Sequence, residues 1–447
     1  MPESESHFNH IEQGMCTILY LFGNIMVRYN PINAFLCVLQ ETIQITTDTM
    51  NRLTLLSILC VAIAAAGCTT DAVSKHVAYA DSQLRILVDE CEPSDTVTLL
   101  PRALSNEGEL KYTTPKGWTS GFFPGSLWYM YELTGDQYWA DKAMRHTEIL
   151  EDVQYNTAHH DTGFMIGCSY GNGLRLIGKE EYKPIIVQAA KSLCTLYRPA
   201  AGTIQSWSPE NTTVKKNGWQ CAVIIDNMMN LELLFEASKI SGDPTFAEIA
   251  VTHANTTLKN HYRDDYSCYH VVDYNPETGE INEKRTAQGF SDESVWSRGQ
   301  GWSVYGYTLC YRYTQDPKYL AQAENIANFL LNHPNLPEDL VPYWDFLCPD
   351  IPDTPRDASS AAIIASALYE LSTYSENGAF YKEKADKMIE SLSAAPYRPE
   401  LGSSHGFLLL SSVTSIPHGV DIDVPLNYAD YYYLEALVRK RNIEKNN

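Results

Sequence analysis

The chain has 447 residues, 44% of them hydrophobic and 20% charged, with a formal net charge of −22. That composition supplies ample core and excludes a disordered or collagen-like chain. The acidic balance excludes the basic face that nucleic-acid binding needs and a polybasic membrane patch. Eleven cysteines, dilute and without a CxxC pair, do not make a disulfide scaffold.

In chain order, the first legible feature starts at Met50. Arg52 gives a short positive segment, Leu53 to Ala66 an apolar run, and Ala65-Ala66-Gly67-Cys68 follows. Small residues before a cysteine resemble a bacterial lipoprotein signal, with lipid carried by Cys68 after cleavage. The usual Leu three places before that cysteine is Ala65 here, and a plain secretory signal is the alternative. The run falls short of the roughly 20 residues of a membrane span. Residues 1–49 then read as an upstream extension, 50–67 as a signal and 68–447 as one domain. The expected location is the cell envelope, facing the periplasm, with membrane contact only through the lipid. From Cys68 onward the net charge is −19, and the seven later cysteines are expected to be mostly buried thiols.

From about residue 120 one pattern recurs. An apolar stretch ends in a polar turn, then an aromatic opens a second amphipathic stretch with alanine beyond it. The copies are Leu127–Leu133 with Tyr138, Trp139 and Ala143; Leu174–Ile177 with Tyr182 and Ala189; Leu231–Ala237 with Phe246 and Ala250; Leu309–Tyr313 with Tyr319 and Ala323; and Leu368–Leu371 with Tyr381 and Ala385. Gly or Asp-Pro ends one helix and starts the next. The spacing is too irregular for an open solenoid. With a sixth pair from Val73–Glu92 and Tyr428–Arg441, the pattern predicts an all-α, six-hairpin (α/α)6 toroid; a TPR-like array is the bland alternative. Strands are expected to be few, with Ser267–Val272 the best candidate.

Three clusters could carry chemistry. Asp226 is expected inside an apolar helical run, Ala222–Met229, where burial would raise its pKa and suit a proton donor. The alternative is a capping or core Asp. Asp161 follows His159-His160 and precedes a turn glycine, a setting equally suited to a helix N-cap. Together the two carboxylates are the minimum equipment for acid/base sugar chemistry. The third cluster is Thr286–Gly289 with Ser294–Trp302: Trp296 and Trp302 suit sugar stacking, and Arg298 suits a carboxylate or sulfate. His270 stands just before it. The histidines lack metal-ligand spacing, and there is no P-loop, GxGxxG or GxSxG, so neither metal nor cofactor is expected.

Taken together, Gly117–Gly125, His160–Phe164, Ile225–Asn230, Gln288-Gly289, Trp296–Trp302 and Arg356–Ala361 resemble glycoside hydrolase family 88, the unsaturated glucuronyl hydrolases, from about Trp118 to the C-terminus. The resemblance implies an (α/α)6 barrel, in agreement with the hairpin count. It makes Asp226 the general acid/base and Asp161, beside His160, the second essential carboxylate. Trp118, His160, His270, Gln288, Arg298 and Trp302 fall on substrate-contacting positions. A Tyr that some members carry after the leucine-rich stretch at 406–410 is Thr414 here, which bears on recognition of the leaving sugar. The implied substrate is a lyase-made oligosaccharide ending in a 4,5-unsaturated uronic acid. A sibling reading is an unsaturated rhamnogalacturonyl hydrolase; a rival is a non-catalytic glycan-binding lipoprotein, which would not need the two Asp side chains together.

Overall fold

The computed structural model describes residues 72–92 and 98–446. The expectations for 1–49, for the signal at 50–67 and for Cys68 lie outside the described residues. All that follows concerns the unit Asp71–Asn447.

Chain order begins with α1 (Ala72–Glu90) and a hairpin of β1 (Leu100–Leu104) and β2 (Leu110–Thr113). The first helical pair is α2 (Phe122–Thr134) and α3 (Gln137–Glu148). The second is a π-helix, Gly163–Gly171, continued by α4 (Asn172–Ile177), with α5 (Tyr182–Cys194). A long excursion holds β3 (Tyr197–Arg198), β4 (Thr203–Ile204), α6 (Thr212–Asn217) and β5 (Cys221–Ile224). The third pair is α7 (Asn227–Ser241) and α8 (Pro244–Asn260), followed by β6 (Val271–Tyr274) and β7 (Ile281–Arg285). Then come α9 (Ser297–Thr314) with α10 (Pro317–Leu331), and α11 (Ala358–Leu371) with α12 (Gly378–Leu392). β8 (Ser412–Ser415), β9 (Val420–Val424) and α13 (Asn427–Asn446) complete the chain.

The hairpins close into a ring. Around the inside, α2 packs on the π-helix, that on α7, α7 on α9, α9 on α11, α11 on α13, and α13 back on α2. Each inner helix is backed by its following outer helix, and α1 docks against α13 and α2 to supply the sixth pair. The recurring alanines Ala143, Ala189, Ala250, Ala323 and Ala385 are all fully buried where the paired helices meet. A larger side chain there would overpack the contact, at about 1–3 kcal/mol.

The turns work as their residues dictate. Asp136, Asp243 and Asp316 each accept a hydrogen bond from a backbone N–H two residues on, capping α3, α8 and α10, each worth about 1 kcal/mol. Gly135, Gly178 and Gly242 take the left-handed conformation that ends the preceding helix. Gln315 does the same job in the fourth hairpin at φ 55°.

Strands are short and confined to loops, but they matter. Antiparallel β5, β6 and β7 form a three-stranded sheet. The expected strand at 267–272 is observed at Val271–Tyr274, starting four residues later and ending two later. The helical run expected across Ala222–Met229 is corrected: Cys221–Ile224 is strand, and helix starts only at Asn227. A short apolar run reads equally as buried strand or buried helix, and here pairing with β6 decides. All seven described cysteines are free, six of them buried. Among the described residues no helix is long and apolar enough to cross a membrane.

Candidate active site

The ring has two mouths. The N-terminal ends of the inner helices gather at one of them: Trp118 precedes α2, Asp161 the π-helix and Asp226 α7, while Arg298 lies in the first turn of α9. These four residues line a cavity of about 280 Å³. A larger cavity of about 540 Å³ opens among the C-terminal ends, between residues such as Glu132, Glu236 and Tyr313. There the charges are paired within the chain, as in Arg175–Glu132 and Arg312–Glu232. At the smaller cavity several buried polar atoms lack an aligned internal partner: Asp226 Oδ2, His270 Nε2, His160 Nε2 and the Trp302 indole Nε1. Buried polar atoms left open in this way need a reason, and a polar ligand is one. The smaller cavity is therefore the candidate active site.

Asp226 sits at the junction where β5 ends and α7 begins. Its side chain makes no capping hydrogen bond to the helix. Burial, with help from the charge of Asp161 and against that of Arg298, raises its pKa to about 7. A carboxyl held protonated near neutrality is a proton donor.

His270 stands behind it. Its Nδ1 accepts backbone N–H bonds from Ala287 and Gln288 at 3.0 and 3.1 Å. The ring proton is therefore on Nε2, which lies 3.7 Å from Asp226 Oδ2. Burial and the nearby Arg298 push the imidazole down to about 3. It stays neutral at physiological pH and offers Asp226 a dipole, not a charge. The side chain of Gln300 anchors the loop before it, bonding both the N–H and the C=O of Cys268.

Asp161 is the opposite case. His159 Nδ1 lies 3.0 Å from its Oδ2, and His160 Nε2 lies 3.4 Å from its Oδ1. Burial opposes its charge, but these two rings and the local backbone outweigh it and hold the carboxylate below its ordinary range. The π-helix that follows is an uncommon form associated with functional sites. Its first residue must be glycine: a Cβ on Gly163 would come within 2.6 Å of the Asn230 Cα. Asn230 in turn accepts the N–H of Phe164 and presents its amide nitrogen to His160 Nδ1 at 3.5 Å.

Arg298 is fully buried and pinned. It pairs with Asp357 at 3.2 Å, donates to the Thr414 carbonyl at 2.7 Å and to that of Val413, and lies over Trp296. Gln288 donates to the same Thr414 carbonyl at 2.9 Å. The Thr414 hydroxyl is 3.0 Å from that of Tyr428.

Of the eight residues expected at the site, Asp226, Asp161, Trp118, Gln288 and Arg298 line the cavity. His160, His270 and Trp302 stand behind that wall. Trp302 is fully buried against Phe164 and Tyr432. The wall residues that escaped the sequence reading include Arg102, Trp207, Ser415 and His418. Arg102 comes from β1, far from every motif, and pairs with Asp421 at 2.5 Å. Trp207 follows the expected aromatic logic and stacks parallel to Trp219, and its place in a long insertion was the available signal. Asp357 was visible within Arg356–Ala361, but its partnership with Arg298 was not.

A family profile described as Glycosyl Hydrolase Family 88 matches residues 102–440. An unsaturated glucuronyl hydrolase of Formosa agariphila is 48% identical over 345 residues, 77% of this chain and 85% of that protein. An unsaturated chondroitin disaccharide hydrolase of Streptococcus pneumoniae is 34% identical, covering 72% of this chain and 81% of its own length. The crystal structure of an unsaturated glucuronyl hydrolase specific for heparin superposes with a TM-score of 0.79 at 43% identity, covering 83% of this chain and 98% of that one. The match over most of the chain, joined to the helical ring and the carboxyl pair at its mouth, places this protein in glycoside hydrolase family 88.

Proposed function

We propose that the chain removes a 4,5-unsaturated uronic acid from the non-reducing end of lyase-generated, glycosaminoglycan-derived oligosaccharides. It is a glycosidase whose decisive step is hydration of a carbon–carbon double bond. The observation that carries this reading is the split of the two carboxyls in one cavity: Asp226 pushed up to about 7 and Asp161 held down. Such a split assigns acid and base.

Asp226, protonated, donates to C4 while positive charge develops at C5 and the ring oxygen. Water adds at C5, giving up its proton to a carboxylate of the pair. The resulting hemiketal opens and the glycosidic link breaks. Because the proton goes to carbon and not to the leaving oxygen, the carboxylate-separation rule of ordinary glycosidases does not apply. Arg298 and Gln288 supply polar edges at the wall, and Trp118 and Trp207 supply faces for a sugar ring. Among the described residues no group of His, Cys, Asp or Glu could hold a metal.

The glycan-binding rival would have gained most from two Asp side chains lying far apart, and they share one wall. The test is an ultraviolet assay. The double bond conjugated to its carboxylate absorbs, and hydration removes the band. Loss of absorbance with disaccharides from chondroitin, hyaluronan or heparin lyase digests is the expected result. Loss with the pectin product alone selects the sibling rhamnogalacturonyl reading, and saturable binding without loss overturns enzymatic function.

The Met50–Cys68 segment supports placing the protein on the cell envelope as a lipoprotein. Metabolic labelling with palmitate should mark the unsubstituted chain and not the Cys68→Ser variant; equal labelling of both overturns the anchor.

A further inference from the structure

We propose that His159, which no motif singled out, is a positioning residue of the reaction: its ring, clamped by Asn156, holds Asp161 ionised and aimed beside Asp226. The inference rests on the reading of the site given above and deepens it.

The clamp is visible in the hydrogen bonds. Asn156 presents its amide nitrogen to His159 Nε2 at 3.2 Å and to the Thr162 hydroxyl at 3.2 Å. Its side-chain oxygen accepts the N–H of Ala158 at 3.1 Å. One asparagine thus folds the segment 156–162 around the ring. His159 is also paired with Trp207 through an isolated antiparallel bridge, so the cavity wall holds its backbone.

The contact with Asp161 is close but not linear. Nδ1 lies 3.0 Å from Oδ2, yet its N–H is not aligned on an acceptor. The ring therefore acts on the carboxylate more through its field than through a directed hydrogen bond. Burial opposes a charge on His159, but Asp161 and the Lys116 carbonyl outweigh it, and its pKa lies above the ordinary value. His160 differs. It is fully buried, its pKa is lowered, and it contacts Asp161 at 3.4 Å. So the two histidines differ in reach: His160 contacts the carboxylate at 3.4 Å, whereas His159, whose Nε2 accepts from Asn156, keeps its ring proton on Nδ1, 3.0 Å from Asp161.

The other titratable groups facing this pair come from several elements. Asp226 at the start of α7 raises the stakes, since the charge of Asp161 helps to keep it protonated. Arg298 in α9 acts on Asp226 in the other direction. His270 before β6 and His253 in α8 both feel His160, and burial pushes both down to about 3, so they stay neutral. His159 is thus the histidine nearest the Asp161 carboxylate, with its ring proton held on the nitrogen that faces it.

The experiment measures kcat and KM against pH, by loss of the ultraviolet band, for the unsubstituted protein, His159→Gln and Asn156→Ala. Protonation of Asp161 should set the acid limb of the profile. Without the ring, that limb should move to higher pH, and kcat should fall roughly tenfold, a modest share of what acid–base catalysis contributes. KM should change little, because His159 does not line the cavity. Asn156→Ala keeps the ring but frees it, and should shift the limb the same way by less. It also serves as the reporter if His159→Gln does not fold. A purely structural role would lower the melting temperature and leave the limb in place. That result, in variants that fold, overturns the inference alone. Failure of the unsubstituted protein to turn over any unsaturated disaccharide overturns the reading of the site, and this inference with it.

Discussion

At the scale of single residues, the site is a study in how environment divides two chemically identical side chains. Asp226 has no cation in contact, a neutral histidine at 3.7 Å and nearly complete burial. Asp161 has two imidazole rings at its oxygens. In the proposed mechanism the first holds a proton and the second has lost one. Activity should therefore be high below neutrality and fall about tenfold per unit once the pH exceeds the Asp226 value of about 7. A pH–rate profile checks this, and a flat profile through pH 8 would contradict it. Asp226→Asn should lower kcat by at least about 10²–10⁴, with unchanged folding and ligand binding, since the amide keeps the shape and loses the transferable proton. Normal turnover by that variant would sink the assignment. Asp226 stood out in the sequence because a lone carboxyl in an apolar run demands an explanation. Its local structure was not, because Ala-Val-Ile-Ile suits strand and helix alike. His159 was hidden for another reason: its effect depends on which ring nitrogen faces Asp161, and nothing in the order of residues shows that.

At the scale of elements, the hairpins were legible because each announces itself by turn chemistry and an aromatic–alanine face. The charged staples between inner helices were not, since they join residues more than forty positions apart. The best example lies at the mouth away from the active site. Glu370 of α11 takes a bidentate contact from Arg312 of α9, at 2.5 and 2.7 Å, and a contact from Arg439 of α13 at 2.9 Å. Burial opposes the charge, but the two guanidinium groups win and pull its pKa from 4.5 to about 2. A lowered carboxyl pKa stabilises the fold fully above the unfolded value and loses that contribution as pH falls through the folded one. The window here runs from about pH 4.5 down to about 2. The shift corresponds to about 3 kcal/mol. Glu370→Gln should lower stability at pH 7 by about that amount, and the gap from the parent should close toward pH 2. Urea denaturation at pH 7 and pH 3 checks both statements; an equal gap at the two pH values would show that lost packing, not charge, accounts for the effect.

At the scale of the whole molecule, an electrostatic contradiction needs resolving. The chain from Cys68 onward carries −19, yet the proposed substrate is an anion, which the long-range field should repel. His160 and His270 would be natural sources of local positive charge, but burial lowers both pKa values, so neither supplies it. Arg298 and Arg102 do line the cavity, though each already faces a carboxylate, Asp357 or Asp421. What remains is the architecture. Closing the ring brings the N-terminal ends of inner helices to one mouth, and each such end carries roughly half a positive charge in unsatisfied N–H groups. That field is short in range and lies inside the cavity, where salt screens little. The repulsion acts through solvent over distances beyond the Debye length, about 10 Å at 0.1 M salt, where screening is effective. Added salt should thus remove the repulsion and spare most of the attraction. KM for an unsaturated disaccharide should fall as sodium chloride rises from about 10 to 200 mM, with kcat nearly constant. A sulfated disaccharide should show the larger fall, since it meets the stronger repulsion. If KM instead rises steeply with salt, binding is governed by exposed cations at the mouth, and Arg102 becomes the first residue to replace.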